Sequence, residues 1–243
     1  MTTGLVTGAS GAIGTAIARR LALPGSKIVL HYHMHRERID ALAAQITALG
    51  AQAIPLQADL RDLSAADGLA QQVLNEVGTP HYLVHAAGTS QFALLQDLPL
   101  SLWRNLQDIH LGAAYRLLHA FLPGMIRRRH GRVVLIGSVY GERGGAMESG
   151  YAAAKAGYGA LARATLHEVG RSGVTVNVVA PGAIETAMLS RLSDAEREEL
   201  RGAIPMGRLG LPDEVAAAVA FLLSDDARYI SGCTMAVDGG YSI

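Results

Sequence analysis

The sequence predicts an α/β protein: a Rossmann-type, doubly wound parallel sheet of about seven strands, flanked by helices on both faces. Three observations carry that reading. Short runs rich in β-branched residues alternate with longer helical segments from Thr3 onward. The runs are continuously apolar, as strands buried on both faces are. A glycine-rich turn joins the first run directly to the first helical segment, where such folds place a phosphate-binding turn.

In chain order, strands are predicted over Gly4–Thr7, Lys27–Tyr32, Ala53–Gln57, Tyr82–His85, Arg132–Gly137, Thr175–Val179 and Thr234–Val237. Helices are predicted between them, over Ala12–Leu23, Arg36–Leu49, Leu63–Val77, Leu100–Arg128, Tyr151–Arg171 and Asp213–Leu223. No linker, low-complexity tract or fixed-period repeat divides the chain, so residues 1–243 read as one domain. One insertion interrupts the alternation. Glu185–Pro205 is polar and helical in pattern, and is expected to form either a small substrate lid near 185–205 or an ordinary surface helix pair.

Half of the 243 residues are hydrophobic and 17% are charged, which suits a buried core rather than disorder. The formal net charge is zero, so composition gives no electrostatic case for nucleic acid or an acidic membrane surface. The single cysteine, Cys233, excludes an intramolecular disulfide and a cysteine-based metal site. Apolar runs fall far short of the roughly 20 residues that cross a bilayer. The N-terminus lacks a basic region followed by a signal core. A soluble, cytoplasmic protein with no metal and no membrane or nucleic-acid partner is expected.

The first strand leads into Thr7-Gly8-Ala9-Ser10-Gly11-Ala12-Ile13-Gly14. Glycines let the backbone turn tightly and approach a phosphate, whose charge is favoured at a helix N-terminus. The spacing is T-G-x-x-x-small-x-G rather than G-x-G-x-x-G. Position after the first strand and before the first helix is what raises it above plain packing glycines and points to a dinucleotide.

A second constellation lies mid-chain. Ser138 follows the apolar run Val133-Val134-Leu135-Ile136, and Tyr151 and Lys155 are four apart, hence one turn apart on a helix face. An ammonium beside a phenol favours the phenolate, so such a pair can pass a proton to or from a substrate oxygen. Taken alone, a Tyr four residues before a Lys is more often plain surface helix.

Together these residues resemble a classical short-chain dehydrogenase/reductase over the full length of the chain, most closely the 3-oxoacyl-acyl-carrier-protein reductase branch. The resemblance rests on Thr7 to Gly14, with Ala12 where glycine is commoner. It also rests on Asp59 at the end of strand three and on His85-Ala86-Ala87-Gly88 in place of Asn-Asn-Ala-Gly. Ser138, Tyr151 and Lys155, then Pro181-Gly182 with Ile184 and Thr186, and finally Asp238-Gly239-Gly240 complete it.

The resemblance implies a nicotinamide cofactor held by Gly8, Ser10, Gly11, Ile13, Gly14, Tyr32, Arg36, Asp59, Leu60, Ala87, Gly88, Tyr151, Lys155, Pro181, Gly182, Ile184 and Thr186. Asp59 would touch the adenine, and Pro181-Gly182 the nicotinamide side. After strand two the chain reads His31-Tyr32-His33-Met34-His35-Arg36, with no carboxylate until Glu37. Tyr32 sits at the discriminating position, and an absent acid removes repulsion against a 2′-phosphate. Arg36 with the histidines offers donors to it, which favours NADP over NAD. Gly11 argues the other way, standing where many NADP-dependent relatives carry a basic residue.

By the same resemblance, the activity implied is reduction of a ketone, 3-oxoacyl-thioester-like, as in fatty acid biosynthesis. Ser138 donates to the carbonyl oxygen, Tyr151 is the general acid, and Lys155 holds the nicotinamide ribose and lowers the Tyr151 pKa. The family asparagine that holds a relay water is replaced by His110. Histidine both donates and accepts, so His110 reads either as a fourth catalytic residue or as a packed helix residue. With His85 for asparagine, this marks a divergent subgroup. Similar replacement occurs in reductases of the 5-aminopentanone group on elongation factor P.

The partners implied are a small-molecule or carrier-bound ketone and, through the basic run Arg127–Arg132, an acidic carrier protein or elongation factor P. For that run, a cationic helix C-terminus favoured by the helix dipole is the equal alternative. A homotetramer through the two long helices is the family's usual assembly. A non-catalytic NADP-binding regulatory protein is the competing class, disfavoured because Tyr151 and Lys155 are both present; a lyase or epimerase on the same fold is a third.

Overall fold

The computed structural model describes residues 2–186, 189 and 193–242. Its first half runs β1 (Thr3–Thr7), α1 (Ala12–Arg20), β2 (Lys27–Tyr32), α2 (Arg36–Ala48), β3 (Gln52–Gln57), α3 (Leu63–Val77) and β4 (Tyr82–His85). The second half runs α4 (Leu100–Gln107), a π-helical turn (Asp108–Gly112), α5 (Ala113–Arg128), β5 (Gly131–Ile136), α6 (Tyr140–Arg143), α7 (Ser149–Val169), β6 (Val174–Pro181), α8 (Asp194–Gly202), α9 (Pro212–Leu223) and β7 (Thr234–Val237).

The seven strands form one sheet in the order β3-β2-β1-β4-β5-β6-β7, parallel at every junction. The doubly wound reading is therefore correct, and its physical basis is visible strand by strand. Leu5, Leu83, Val133 and Leu135 point to one face, against Leu69 and Val73 of α3, Phe121 of α5 and Tyr158 of α7. Val6, Val84, Val134 and Ile136 point to the other, against Ile17 of α1, Ile39 of α2 and Val215 and Val219 of α9. Each such fully buried side chain contributes on the order of 2 kcal/mol, so both faces must be covered.

The order reverses between β1 and β4, which opens a crevice beyond the strands' C-terminal ends. Every loop that later matters leaves the sheet there: Gly8 after β1, Gly88 after β4, Ser138 after β5 and Gly182 after β6.

The long helix predicted over Leu100–Arg128 is instead α4, the π turn and α5, with Pro123 inside α5. Apolar periodicity runs smoothly through all three and does not register the extra residue of a π turn. The short α6 was not foreseen. Within the polar insertion, α8 starts at a capping box between Ser193 and Glu196, the sequence signature of a helix N-terminus. Residues 187, 188 and 190–192 of the predicted lid lie outside the described residues.

Among the described residues, no helix is long and apolar enough to cross a membrane, and no three His, Cys, Asp or Glu side chains are grouped to hold a metal ion.

Candidate active site

A cavity of about 690 Å³ occupies the crevice, walled at one end by Gly8, Gly11, Ala12, Ile13 and Gly14 and at the other by Ser138, Tyr140, Glu148 and Tyr151. Gly8 has φ +66°, and a side chain there would run into the backbone of Ala87 at 2.8 Å. Only glycine takes that backbone shape without strain, so β1 ends in a turn lying flat against the start of the β4 loop. Helix α1 follows with no side-chain cap at Gly11 and no acid in its first turn. Its first N–H groups therefore face the cavity end without a competing carboxylate, which fits a pyrophosphate.

At the far end, Ser138 and Tyr151 both line the cavity, and the serine hydroxyl acts to lower the Tyr151 pKa. The Ser138 hydroxyl oxygen also accepts from the backbone N–H of Tyr140 at 3.2 Å. Burial pushes the Tyr151 phenol up to about 12; the Ser138 hydroxyl opposes this, while Glu148 and Tyr140 add to it. One turn on, Lys155 is buried, and its Nζ donates to the Ile136 carbonyl at 2.7 Å. It lies 5.5 Å from the centre of the Tyr151 ring and 5.0 Å from that of Tyr158. Burial lowers its pKa to about 7.

The sequence argument had Lys155 drawing the phenol down. The structure gives the reverse, because both groups are desolvated and loss of water dominates the effect of charge. The Tyr151 hydroxyl is protonated at neutral pH, as a proton donor must be.

His110 is fully buried in the π turn. Its ring stands edge-on to Tyr151, 5.5 Å between centres. Nε2 lies 2.9 Å from the Thr89 carbonyl; a carbonyl only accepts, so Nε2 carries the proton and Nδ1 the lone pair. Nδ1 is buried and has no hydrogen-bond partner among the described residues. Burial, with Lys155 nearby, holds the imidazole well below its ordinary pKa and therefore neutral.

His85 is tied down at both nitrogens. Nε2 donates to the Ile109 carbonyl at 3.3 Å, so Nδ1 accepts from the Thr7 hydroxyl at 3.0 Å. That hydroxyl oxygen in turn accepts from Ala86 N and Ala87 N. Burial takes the His85 pKa down to about 3. Ile109 lies in the π turn, so His85 links the end of β4 to the turn that presents His110.

On the cofactor side the predicted residues separate into two groups. Gly8, Gly11, Ile13, Gly14, Gly88, Tyr151, Lys155, Pro181, Gly182, Ile184 and Thr186 line the cavity; Ser10, Tyr32, Arg36, Asp59, Leu60 and Ala87 do not. Tyr32 is buried in the core beside α2. Arg36 donates to the Tyr32 hydroxyl at 3.2 Å and to Asp40 at 2.8 Å. Asp59 is gripped by Arg61 at 2.6 Å, which holds its carboxyl down to about 2. Of the histidines expected to offer donors, His31 accepts from Gly8 N at 3.1 Å and donates to the Ala58 carbonyl at 3.1 Å. Both its nitrogens are occupied, and it buttresses the glycine turn instead.

Several cavity residues escaped the sequence reading, Arg38 and Glu148 among them. Arg38 of α2 lines the cavity; it lies two residues beyond Arg36 in a charged run where either arginine looks alike. Glu148 also lines the cavity, and its burial was not foreseeable for a glutamate.

In the basic run, Arg128 donates to the carbonyls of Thr79, Pro80 and His130. Arg132 is buried, with bonds to the Gly131 and Gly173 carbonyls and an ion pair to Asp225 at 3.3 Å. These two close the helix end and the neighbouring loops, while Arg127 is exposed.

Comparison with known proteins gives consistent results. The family described as Enoyl-(Acyl carrier protein) reductase matches residues 8–242. The chain is 40% identical over 238 residues to the 3-oxoacyl-[acyl-carrier-protein] reductase FabG of Escherichia coli, covering 97% of this chain and 95% of that protein. It is 38% identical over 240 residues to the uncharacterized oxidoreductase YmfI of Bacillus subtilis, covering 98% of each. A blue fluorescent protein from a metagenomic library, solved in complex with NADPH, superposes with a TM-score of 0.92 at 32% identity, over 100% of this chain and 98% of that one.

Proposed function

Since the chain belongs to the short-chain dehydrogenase/reductase family and is an NAD(P)-dependent oxidoreductase, we propose that it reduces a ketone to an alcohol at the expense of NADPH, with Tyr151 as the general acid. The observation that carries this is that Ser138, Tyr151 and the buried Lys155 one turn on line the same cavity as the glycine turn.

The α1 N-terminus and Gly8 to Gly14 would hold the pyrophosphate, and Arg38, with Arg36, the 2′-phosphate. Asp59 and Leu60 would flank the adenine from just outside the cavity. Ala87, Gly88 and Lys155 would hold the nicotinamide ribose, and Pro181, Gly182, Ile184 and Thr186 its ring. When bound, NADPH supplies a hydride to the carbonyl carbon. Ser138 steadies the negative charge that then grows on the carbonyl oxygen. Tyr151 gives its phenolic proton to that oxygen, so one hydride and one proton complete the alcohol. Lys155, poised near neutral pKa, returns a proton to the phenolate. The free Nδ1 of His110 serves as an acceptor for that relay, in the place of the family asparagine. Helix α8, whose Glu196, Glu199 and Leu200 line the cavity, acts as the lid.

The test is loss of reduced-nicotinamide absorbance with a panel of 3-oxoacyl thioesters and simple ketones. Tight NADPH binding without turnover of any carbonyl would select the regulatory reading instead. A second reading, reduction of a 5-aminopentanone group on elongation factor P, is supported by His85 and His110 standing where relatives carry asparagine. An acidic carrier or partner would meet the exposed Arg127 and its neighbour Arg129.

A further inference from the structure

The substrate end of the cavity holds a charged group that the proposed reduction does not use. Glu148 is 5% exposed and lines the cavity. Its Oε2 has no hydrogen-bond partner among the described residues. It is the N-cap of α7 yet makes no side-chain cap bond, so helix capping does not account for it. Three residues before Tyr151, it shares that residue's helix face. A buried carboxylate without a partner is costly, and such groups in folded proteins are paired or hydrogen-bonded.

The surroundings state which partner would suit it. The same cavity wall carries Phe92, Tyr140, Tyr241 and Leu200, and two further carboxylates, Glu196 and Glu199 on α8. Of the lysines and arginines lining the cavity, Lys155 donates to the Ile136 carbonyl and Arg38 stands on α2. An anionic substrate would meet three carboxylates there. An ammonium would complete the unpartnered oxygen.

We infer that Glu148 is a specificity-determining residue that binds a primary ammonium group on the ketone substrate, a few bonds from the carbonyl held by Ser138 and Tyr151. This deepens the carbonyl-reductase reading and rests on it for the word ketone, though not for the ammonium site itself. Burial raises the Glu148 pKa to about 7, so the empty site shares its proton near neutrality and an arriving cation stabilises the ionised form.

The experiment measures binding and turnover separately. Calorimetric affinities for the protein, with and without NADP, are measured for short secondary alcohols of one chain length ending in ammonium, hydroxyl or carboxylate. The ammonium compound is expected to bind about tenfold or more tightly than the hydroxyl compound, as charge-assisted bonds in a desolvated site do, and the carboxylate compound most weakly. Glu148→Gln, which keeps shape and removes charge, is expected to collapse the ammonium-to-hydroxyl ratio towards one. Glu148→Asp is expected to restore part of it. Equal affinity for all three compounds, or a ratio unchanged in Glu148→Gln, would overturn the inference. The matching ketones are then assayed for NADPH oxidation. Selective ammonium binding with no ketone reduced would leave the site standing and sink the carbonyl-reductase reading; reduction of all three ketones with equal KM would do the opposite.

Discussion

The imidazole of His110 occupies the space into which a side chain on Gly88 would project, and a Cβ there would press on its Cε1 and Nδ1. Gly88 leaves the β4 loop and His110 stands on the π turn, so the two elements meet at one contact beside Tyr151. The glycine at this place is required by a side chain rather than by its own backbone.

Substituting Gly88→Ala is therefore expected to displace the ring and break its 2.9 Å bond to the Thr89 carbonyl. Overpacking of this kind costs about 1–3 kcal/mol. Combining Gly88→Ala with His110→Ala should restore much of that stability, because the two residues are in contact. Denaturant titration of the four proteins checks it; strictly additive losses would count against the contact.

His110 itself is tested by activity. His110→Ala is expected to slow turnover about tenfold or more, within the range of a positioned proton-relay group, while His110→Asn keeps a larger share. Full activity in the alanine variant would make His110 a packing residue only.

Tyr151→Phe removes the proposed acid and leaves the ring. We expect kcat/KM to fall by about 10²–10⁴ with NADPH affinity within about threefold of wild type by fluorescence titration. A variant that still reduces ketones at near the original rate would exclude Tyr151 as the donor.

Arg38→Ala is expected to weaken NADPH binding by about tenfold through loss of a guanidinium–phosphate pair, and to leave NADH affinity nearly unchanged. If both cofactors weaken alike, Arg38 is not at the 2′-phosphate.

His85 makes stability depend on pH. Its folded pKa of about 3 lies below the ordinary 6.5, so between these values the unfolded chain binds the extra proton. Stability from this residue is full above about pH 6.5 and falls as pH drops, by about 1.4 kcal/mol per pH unit. Glu148, with its pKa raised to about 7, acts in the opposite sense, so the comparison is between wild type and His85→Asn. The variant's unfolding free energy should lose that slope between pH 6 and 4; identical slopes would contradict the assignment.

The strands were readable because each is a short apolar run with both faces buried, and parallel order follows from the helices between them. Ser138, Tyr151, Lys155 and the glycine turn were readable because their chemistry fixes residue type and spacing. The π turn was not, since a single inserted residue leaves the apolar pattern of Leu100–Arg128 intact. His31 was misjudged for a related reason: a histidine in the same run as Arg36 resembles a surface donor until Gly8 N and the Ala58 carbonyl are found on its two nitrogens. Glu148 was missed because sequence cannot tell a buried carboxylate from a solvated one.

The chain has two lysines, Lys27 and Lys155, and every other side-chain cation apart from histidine is arginine. Arginine does not react with acylating reagents, and burial lowers the Lys155 pKa to about 7, so near neutrality a sizeable fraction of it is the free amine. The amine most nucleophilic at neutral pH is thus also the most secluded one, reached through the substrate cavity. Small amine-directed probes that enter there would mark one position beside Tyr151, and a bound dinucleotide would shield it, giving a covalent footprint of cofactor occupancy that needs no knowledge of the substrate.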